Sequence, residues 1–114
     1  MPPKLAIGHS DSGGETIQRL IPEAKVVKAF NIVGNPHFLH PDFRNGGPPT
    51  MFICGNDEQA KKEISYDILT KFGWETIDIG GIEGARLLEP LTLLWITYYF
   101  RTGNGNHVFK LLKK

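Results

Sequence analysis

The chain has almost no cysteine and no long hydrophobic run. One cysteine, Cys54, occurs in 114 residues, which excludes an internal disulfide framework and fits a reducing compartment. The most apolar segment, LLEPLTLLWITYYF, contains Glu89 and Pro90 and is shorter than the roughly 20 residues that cross a bilayer. The first residues lack the apolar core of a secretory signal. We therefore expect a cytoplasmic protein that does not enter a membrane.

An excess of charge of one sign is also lacking. The sequence holds 13 Lys and Arg against 12 Asp and Glu, a net charge of +1. Because the two signs are interspersed, the chain lacks the basic footprint of a nucleic-acid-binding protein. Hydrophobic residues make up 40% and charged residues 22%, which is typical of a globular chain rather than a disordered one. The length predicts one domain over residues 1–114 with a modest core.

Thirteen glycines and eight prolines divide the chain into short segments. The patterns predict helices at 10–24, 57–73, 82–103 and 106–114, strands at 24–30, 51–57 and 74–81, and a loop at 33–50. Ser12 and Glu15 have the spacing of a capping box, and Gly73 stands where a C-terminal cap belongs. The alternation of strands and helices predicts an α/β fold, and the segment from 51 to 81 predicts a parallel crossover.

The predicted sheet has three strands, and one very apolar helix leaves little to cover both of its faces. Parallel strands need both faces covered, and exposed edges invite pairing with another chain, so we expect half of a larger sheet or completion by oligomerisation. The long helix carries apolar side chains on all sides, which predicts that either a missing N-terminal half or a second copy of the chain buries them. These side chains are Leu91, Leu94, Trp95, Tyr98 and Tyr99. We therefore expect a homodimer formed through the helix between Leu87 and Phe100.

The first strand ends at an aromatic and an amide side chain, Phe30 and Asn31. In an open α/β sheet, ligands bind where the strands end, so these two residues are candidates for the wall of a ligand site. A structural interpretation is also open, with a core aromatic residue followed by an asparagine that tolerates turn geometry.

Four segments occur together, in order and in register: AKVVKAFN, MFICGNDEQAKK, FGWETIDIGGIEGARLLEPLTLLWI and RTGNGNHVFKLLKK. The set resembles the C-terminal half of the NADP oxidoreductases that depend on the deazaflavin coenzyme F-420, from about Leu5 to the end of the chain. The resemblance implies part of a Rossmann-like, three-layer fold with a short, mainly parallel sheet and a long apolar C-terminal helix. It also implies hydride transfer between NADP(H) and a deazaflavin or flavin-like ring. That chemistry belongs to the cofactors, while the protein orients the two rings.

The resemblance places Phe30 and Asn31 on the wall of the hydride-transfer cleft, and Asn106 and His107 near the flavin-like ring. Asn31 can donate through its NH₂ group to a ring carbonyl or to the nicotinamide carboxamide. It does not change protonation near neutral pH, which excludes a general-acid role, and no catalytic residue is assigned. For the segment TGNGNHVF, the structural alternative is a helix C-cap followed by an N-cap.

The glycine-rich fingerprint of dinucleotide binding, GxGxxG, is absent from the sequence. The segment GHSDSGG contains glycines, but it precedes a helix without a convincing strand before it and lacks the fingerprint spacing. The resemblance therefore implies an oxidoreductase without the half that holds the NADP phosphates. The alternative is a non-catalytic dimerisation or binding domain derived from the same family.

Other reactive side chains favour structural interpretations. His37 and His40 have a spacing that suits zinc, but the sequence supplies no full ligand set nearby, so we expect no metal. Cys54 ends an apolar strand without a partner base and is expected to be a small buried hydrophobe. Glu83, Arg86 and Glu89 have helical spacing and are expected to form ion pairs on a solvated face.

Overall fold

The structure is a computed structural model that describes residues 4–43 and 46–114, without the side chain of Asn35. The helices are α1 (Gly13–Leu20), α2 (Glu58–Glu63), α3 (Thr70–Phe72) and α4 (Ala85–Thr102), and the strands are β1 (Val27–Lys28), β2 (Thr50–Gly55) and β3 (Glu75–Asp78). A π-helical segment, Ile64–Leu69, joins α2 to α3, and 3₁₀ turns span Asn35–His37 and Ile82–Gly84. None of the helices in these ranges is long and apolar enough to cross a membrane.

The order of helices and strands confirms the predicted α/β class. The predicted loop includes residues 44 and 45, and the predicted domain begins with residues 1–3, all of which lie outside the described residues. The assignment of residues 1–114 to one domain stays a prediction.

Local capping signals begin and end the helices where the sequence predicts. Ser12 Oγ accepts the Glu15 N–H at 3.1 Å, and its hydroxyl donates to the Glu15 carboxylate at 2.8 Å. At the start of α2, Asp57 Oδ1 accepts the Ala60 N–H at 2.8 Å. Gly73 ends α3 with a φ of +105°, a conformation that glycine adopts without the penalty of a Cβ. The helix predicted over residues 57–73 is confirmed, although its centre is π-helical.

The sheet has the strand order β1-β2-β3 and is mixed. β2 and β3 run parallel from Thr50 opposite Glu75, which confirms the predicted crossover. β1 instead runs antiparallel to the end of β2, with Val27 opposite Gly55. The longer ladder is therefore parallel, and the short ladder is antiparallel.

β1 is much shorter than the strand predicted over residues 24–30. Phe30 has a φ of +62°, which lies outside the β region that a strand requires. The Phe30 N–H donates to the sulfur of Met51 at 3.2 Å, so it does not join a strand ladder. The chain consequently turns directly after β1.

The helix predicted over residues 106–114 is wrong, because residues 103–114 form neither a helix nor a strand. β1 pairs only with Cys54 and Gly55, which leaves the beginning of β2 open on that side. The tail occupies this position: the Thr50 N–H donates to Phe109 O at 2.9 Å, and the Leu111 N–H donates to Thr50 Oγ1 at 2.8 Å. A helix of nine residues is only marginally stable by itself, so the hydrogen bonds to β2 stabilise the tail more than a helix would.

β2 is buried on both of its faces. Met51 and Ile53 pack with Leu69 and Trp74 in one core cluster. Cys54 belongs to a second cluster, with side chains from the start of α4. Because successive side chains of a strand point to opposite faces, the two clusters cover β2 from both sides.

The α4 side chains that pack inward and those that are exposed lie on adjoining stripes of the helix, with Leu91 between them. Leu91 packs against the core, and Trp95 is covered by the loop after Asn31 and by the tail. Segments of the same chain therefore cover part of Leu91 and Trp95, and the expectation that a partner covers the rest stays a prediction. Leu87, Leu94 and Tyr98 remain 70%, 57% and 48% exposed, at a spacing that aligns them on one side of the helix.

Charged side chains join α1 to α4. The Glu89 carboxylate accepts the N–H groups of Gly13 at 2.7 Å and Gly14 at 2.9 Å, at a helix N-terminus that favours negative charge. Arg86 donates to Glu15 at 2.7 Å, and this hydrogen bond is the main reason that the pKa of Glu15 lies below its usual range. The expected ion pairs on a solvated face of α4 are thus wrong, because Arg86 and Glu89 both contact α1.

Substitution of Glu89 tests this attachment. Glu89→Ala leaves two N–H groups at the start of α1 without their acceptor, and we expect it to lower the free energy of unfolding by about 1–2 kcal/mol. Urea unfolding measures the change. Glu63→Ala, at an exposed position of α2, is the control and should change stability by less than about 0.5 kcal/mol. Equal midpoints for the two variants would show that Glu89 does not hold α1.

Candidate functional site

The turn after β1 carries a strained aromatic residue. Phe30 is not a glycine, yet its φ is +62°, which costs a residue with a Cβ about 1–2 kcal/mol. Its ring stacks on Phe38 with the centroids 4.0 Å apart and the planes at 20°. An aromatic surface therefore lies at the end of β1, where a turn rather than a strand presents it.

Asn31 uses both of its amide hydrogens inside the protein. Nδ2 donates to Leu88 O and to Thr92 Oγ1, the latter at 3.2 Å, and the Thr92 hydroxyl donates to Asn31 O at 2.6 Å. The NH₂ group is therefore not available to a ligand ring, in contrast to the donor role that the sequence suggested for it. Asn31 Oδ1 is buried and has no hydrogen-bond partner among the described residues.

Thr92 is a contact that the sequence did not reveal. Thr92 lies four residues after Leu88, and residues at this spacing share one face of a helix. The sequence could therefore indicate that Leu88 and Thr92 contact the same segment. Only the fold shows that Asn31 is the residue this face meets.

Asn106 lies in the exposed part of the tail and contacts a loop histidine. Its Oδ1 lies 2.7 Å from His37 Nε2, and its N–H donates to Asn104 Oδ1 at 2.8 Å. His37 also packs against Phe43, with the ring centroids 4.9 Å apart. Asn106 thus ties the tail to the loop that follows the Phe30 turn.

His107 lies flat against the indole of Trp95. The ring centroids are 4.2 Å apart and the planes differ by 23°. The His107 ring nitrogens lie 2.9 Å from Asn104 O and 3.2 Å from Trp95 O. In return, Trp95 Nε1 donates to His107 O at 3.0 Å. The imidazole is therefore part of an aromatic surface, with both nitrogens directed at backbone oxygens.

The two predicted pairs of site residues come together along one side of α4. A Cβ on Gly34 would lie 3.2 Å from Trp95 Cη2, so the loop after the Phe30 turn packs closely on the indole. His37, in the same loop, contacts Asn106 in the tail. The loop that follows Asn31 and the tail that carries Asn106 and His107 therefore meet over Trp95.

A groove of about 770 Å³ lies elsewhere, between α1 and the loop that follows β2. Gln18, Arg19, Lys25 and Asn56 are among the residues that line it. None of the four predicted site residues belongs to this groove. It is wide open, its polar side chains carry both signs of charge, and Arg19 is already paired with Asp11 at 2.8 Å.

Within residues 4–43 and 46–114, no three His, Cys, Asp or Glu side chains come together as a metal site would require. His37, one of the two histidines considered as ligands, is engaged with Asn106 instead. Cys54 is fully buried, and burial raises the pKa of its thiol to about 11. A thiol in this environment is inert rather than nucleophilic.

Known proteins are similar to this chain in sequence and in structure. It is 35% identical over 96 residues to the F420-dependent NADP reductase of Methanocaldococcus jannaschii, a match that covers 83% of this chain and 42% of the relative. It is 33% identical over 93 residues to the metalloreductase STEAP3 of Rattus norvegicus, covering 80% of this chain and 18% of the relative.

A solved structure resembles nearly the whole chain. This crystal structure, of an Arthrobacter sp. FB24 protein assigned as an F420-dependent NADP reductase, matches with a TM-score of 0.91 and 38% identity. The match covers 99% of this chain and 51% of that one. No family model matches the chain.

The fold and these relatives place the chain in a Rossmann-like oxidoreductase family. Specifically, the chain belongs to the F420-dependent NADP reductase family and corresponds to the C-terminal part of its members. It spans about half the length of these reductases, or less. The family predicted from the four sequence segments is confirmed.

The single cysteine offers a direct test of burial. Because the pKa of Cys54 is raised to about 11, little thiolate exists at pH 8, and iodoacetamide should label the folded chain far more slowly than the chain in urea. Mass spectrometry measures both rates. The stability that this thiol contributes should be present below pH 9.0, its ordinary pKa, and be lost as the pH rises towards about 11. Equal labelling rates in the two states would contradict the buried environment.

Proposed function

We propose that this chain forms one wall of the hydride-transfer site of an NADP-linked oxidoreductase, in which NADP(H) exchanges a hydride with a deazaflavin or flavin-like ring. The observation that carries this proposal is the structural match over 99% of the chain, at 38% identity, to a protein assigned as an F420-dependent NADP reductase. The cofactors supply the hydride chemistry when bound, and residues of this chain bind and orient the rings. The proposal includes the cytoplasmic location that the sequence predicts.

Phe30 and Asn31 are the proposed ring-binding wall. The Phe30–Phe38 stack supplies a flat apolar surface of the kind that aromatic cofactor rings pack against. Asn31 Oδ1 is a buried acceptor without a partner among the described residues, and buried polar atoms are nearly always paired. An N–H group of the nicotinamide carboxamide or of a flavin-like ring fits such an acceptor.

Asn106 and His107 are the proposed contacts on the tail side of the same surface. His107 is supported by Trp95, and its ring nitrogens are directed at backbone oxygens. We therefore assign it a stacking role and no proton transfer. Asn106 positions the loop through His37.

The described residues fit a ring better than a pyrophosphate. The N–H groups of Gly13 and Gly14, in the glycine-containing segment before α1, are both occupied by the Glu89 carboxylate. This helix N-terminus therefore has no open pair of donors for a phosphate. We assign ring contacts to this chain and no phosphate contact to its described residues.

Titration of the chain with NADP⁺ and, separately, with FMN or a deazaflavin tests the proposed wall by NMR. We expect saturable shifts of the Phe30, Asn31 and His107 signals. Phe30→Ala should weaken ring binding about threefold to tenfold, because it removes one aromatic stack. Tyr66→Ala is the matched control, since Tyr66 is an exposed aromatic residue of the π-helical segment. Absence of saturable shifts with all the ligands would contradict the wall and favour the non-catalytic alternative.

We also propose that α4 forms a homodimer contact. Leu87, Leu94 and Tyr98 are exposed, and their spacing of seven and four residues forms the narrow apolar stripe through which helices pair. A non-catalytic dimerisation domain would use the same stripe, so dimerisation by itself does not distinguish the two functions.

A charge on this stripe tests the dimer. Leu94→Glu should convert the dimer to a monomer, because it buries a carboxylate in an apolar contact, as measured by sedimentation velocity over a range of concentrations. Lys62→Glu, at an exposed position of α2, is the control and should not change the mass. A wild-type chain that remains monomeric at high concentration would refute the contact.

A further inference from the structure

Thr92 makes two hydrogen bonds to Asn31 with one hydroxyl group. It donates to Asn31 O at 2.6 Å and accepts from Asn31 Nδ2 at 3.2 Å. A hydroxyl has a single proton, and the bond to Asn31 O uses it. Only a lone pair of Thr92 Oγ1 remains for the side-chain amide of Asn31. Thr92 therefore accepts a hydrogen bond from Nδ2 and does not donate one to Oδ1.

The carbonyl of Leu88 reinforces this orientation. It also accepts from Asn31 Nδ2, and a flipped amide would place Oδ1 against another oxygen without a hydrogen between them. Two acceptors, one helical turn apart on α4, therefore select the same amide orientation. Asn31 Oδ1 is left turned away from both acceptors, buried and without a partner among the described residues.

The same contact stabilises the strained turn. Asn31 directly follows Phe30, whose φ of +62° is unfavourable for a bulky residue. The hydrogen bond from Thr92 to Asn31 O holds the backbone carbonyl of Asn31, directly after this turn. The direction of the Phe30 ring, stacked on Phe38, thus depends on α4.

We propose that Thr92 is a positioning residue of the ring site that acts through Asn31. The inference rests on the proposed function, and it specifies the chemistry of the contact. Thr92 makes Asn31 present an acceptor to the ligand, so the ligand group recognised there is an N–H donor, either a carboxamide or a ring imide. This is the reverse of the donor role that the sequence suggested for Asn31.

Matched threonine variants test the orientation in the free chain. Thr92→Val removes the hydroxyl and Thr92→Ser keeps it. Thr97→Val is the control, because the Thr97 hydroxyl donates only within α4, to Leu93 O at 2.7 Å. We expect the Asn31 NH₂ resonances to shift in Thr92→Val and to keep wild-type values in the other two variants. Unchanged NH₂ resonances in Thr92→Val, or a failure of Thr92→Ser to retain them, would overturn the inference.

The wild-type chain supplies a second measurement should Thr92→Val fail to fold. Nuclear Overhauser contacts are expected between the Asn31 NH₂ protons and the Thr92 methyl group. Their absence from a folded chain with assigned resonances would overturn the orientation.

Ligand binding then separates this inference from the proposed function. NADP⁺ carries a carboxamide, and FMN carries a ring imide. Thr92→Val should lower the affinity for the ligand whose N–H group meets Asn31 about threefold to tenfold. Thr92→Ser should restore that affinity. An analogue without the N–H group, an N,N-dimethylated carboxamide or an N-methylated imide, should bind wild type and Thr92→Val equally. If wild type binds neither ligand, the proposed function fails, while the free-chain spectra still decide the orientation. Wild-type affinity in a Thr92→Val chain whose Asn31 signals have shifted would overturn the positioning role.

Discussion

The arrangement of the chain depends on one stripe of α4. Ala85, Leu88, Thr92 and Trp95 recur at spacings of three and four residues and therefore share one side of the helix. Ala85 packs so closely on α1 that only glycine fits opposite it. Leu88 and Thr92 hold Asn31, and Trp95 supports both the loop and the tail. Because each position contacts a different segment, α4 sets the relative placement of α1, the turn after β1 and the C-terminus.

This dependence explains how a strained turn can persist at the candidate site. A left-handed conformation at Phe30 is unfavourable by itself, and it is retained because surrounding contacts over-determine it. The Met51 sulfur accepts the Phe30 N–H, Phe38 stacks on the ring, and Thr92 holds the next residue. The site is consequently a surface fixed from several directions, and it differs from the wide groove beside α1, whose lining residues include none of these.

Local signals predicted three of the four helices, and they failed for the length of β1 and for the tail. Ser12, Asp57 and Gly73 act within three or four residues of the chain, so their capping roles follow from sequence. The early end of β1 and the conformation of the tail depend on partners far away in sequence, since the tail pairs with Thr50. The partial cover of Leu91 and Trp95 by the same chain was not expected for the same reason, because the sequence does not show which segments fold back over α4.

The sequence by itself determined the α/β class, the family, three of the four predicted helices and the segments proposed to carry the site, because these follow from capping, periodicity and motifs read in register. Only the tertiary structure decided what those segments do to one another. It paired Glu89 with α1 and not with its own helix, and it turned the NH₂ group of Asn31 towards α4. Hydrogen bonds between residues some 60 to 75 positions apart depend on the packing of whole elements, and no local pattern encodes that packing.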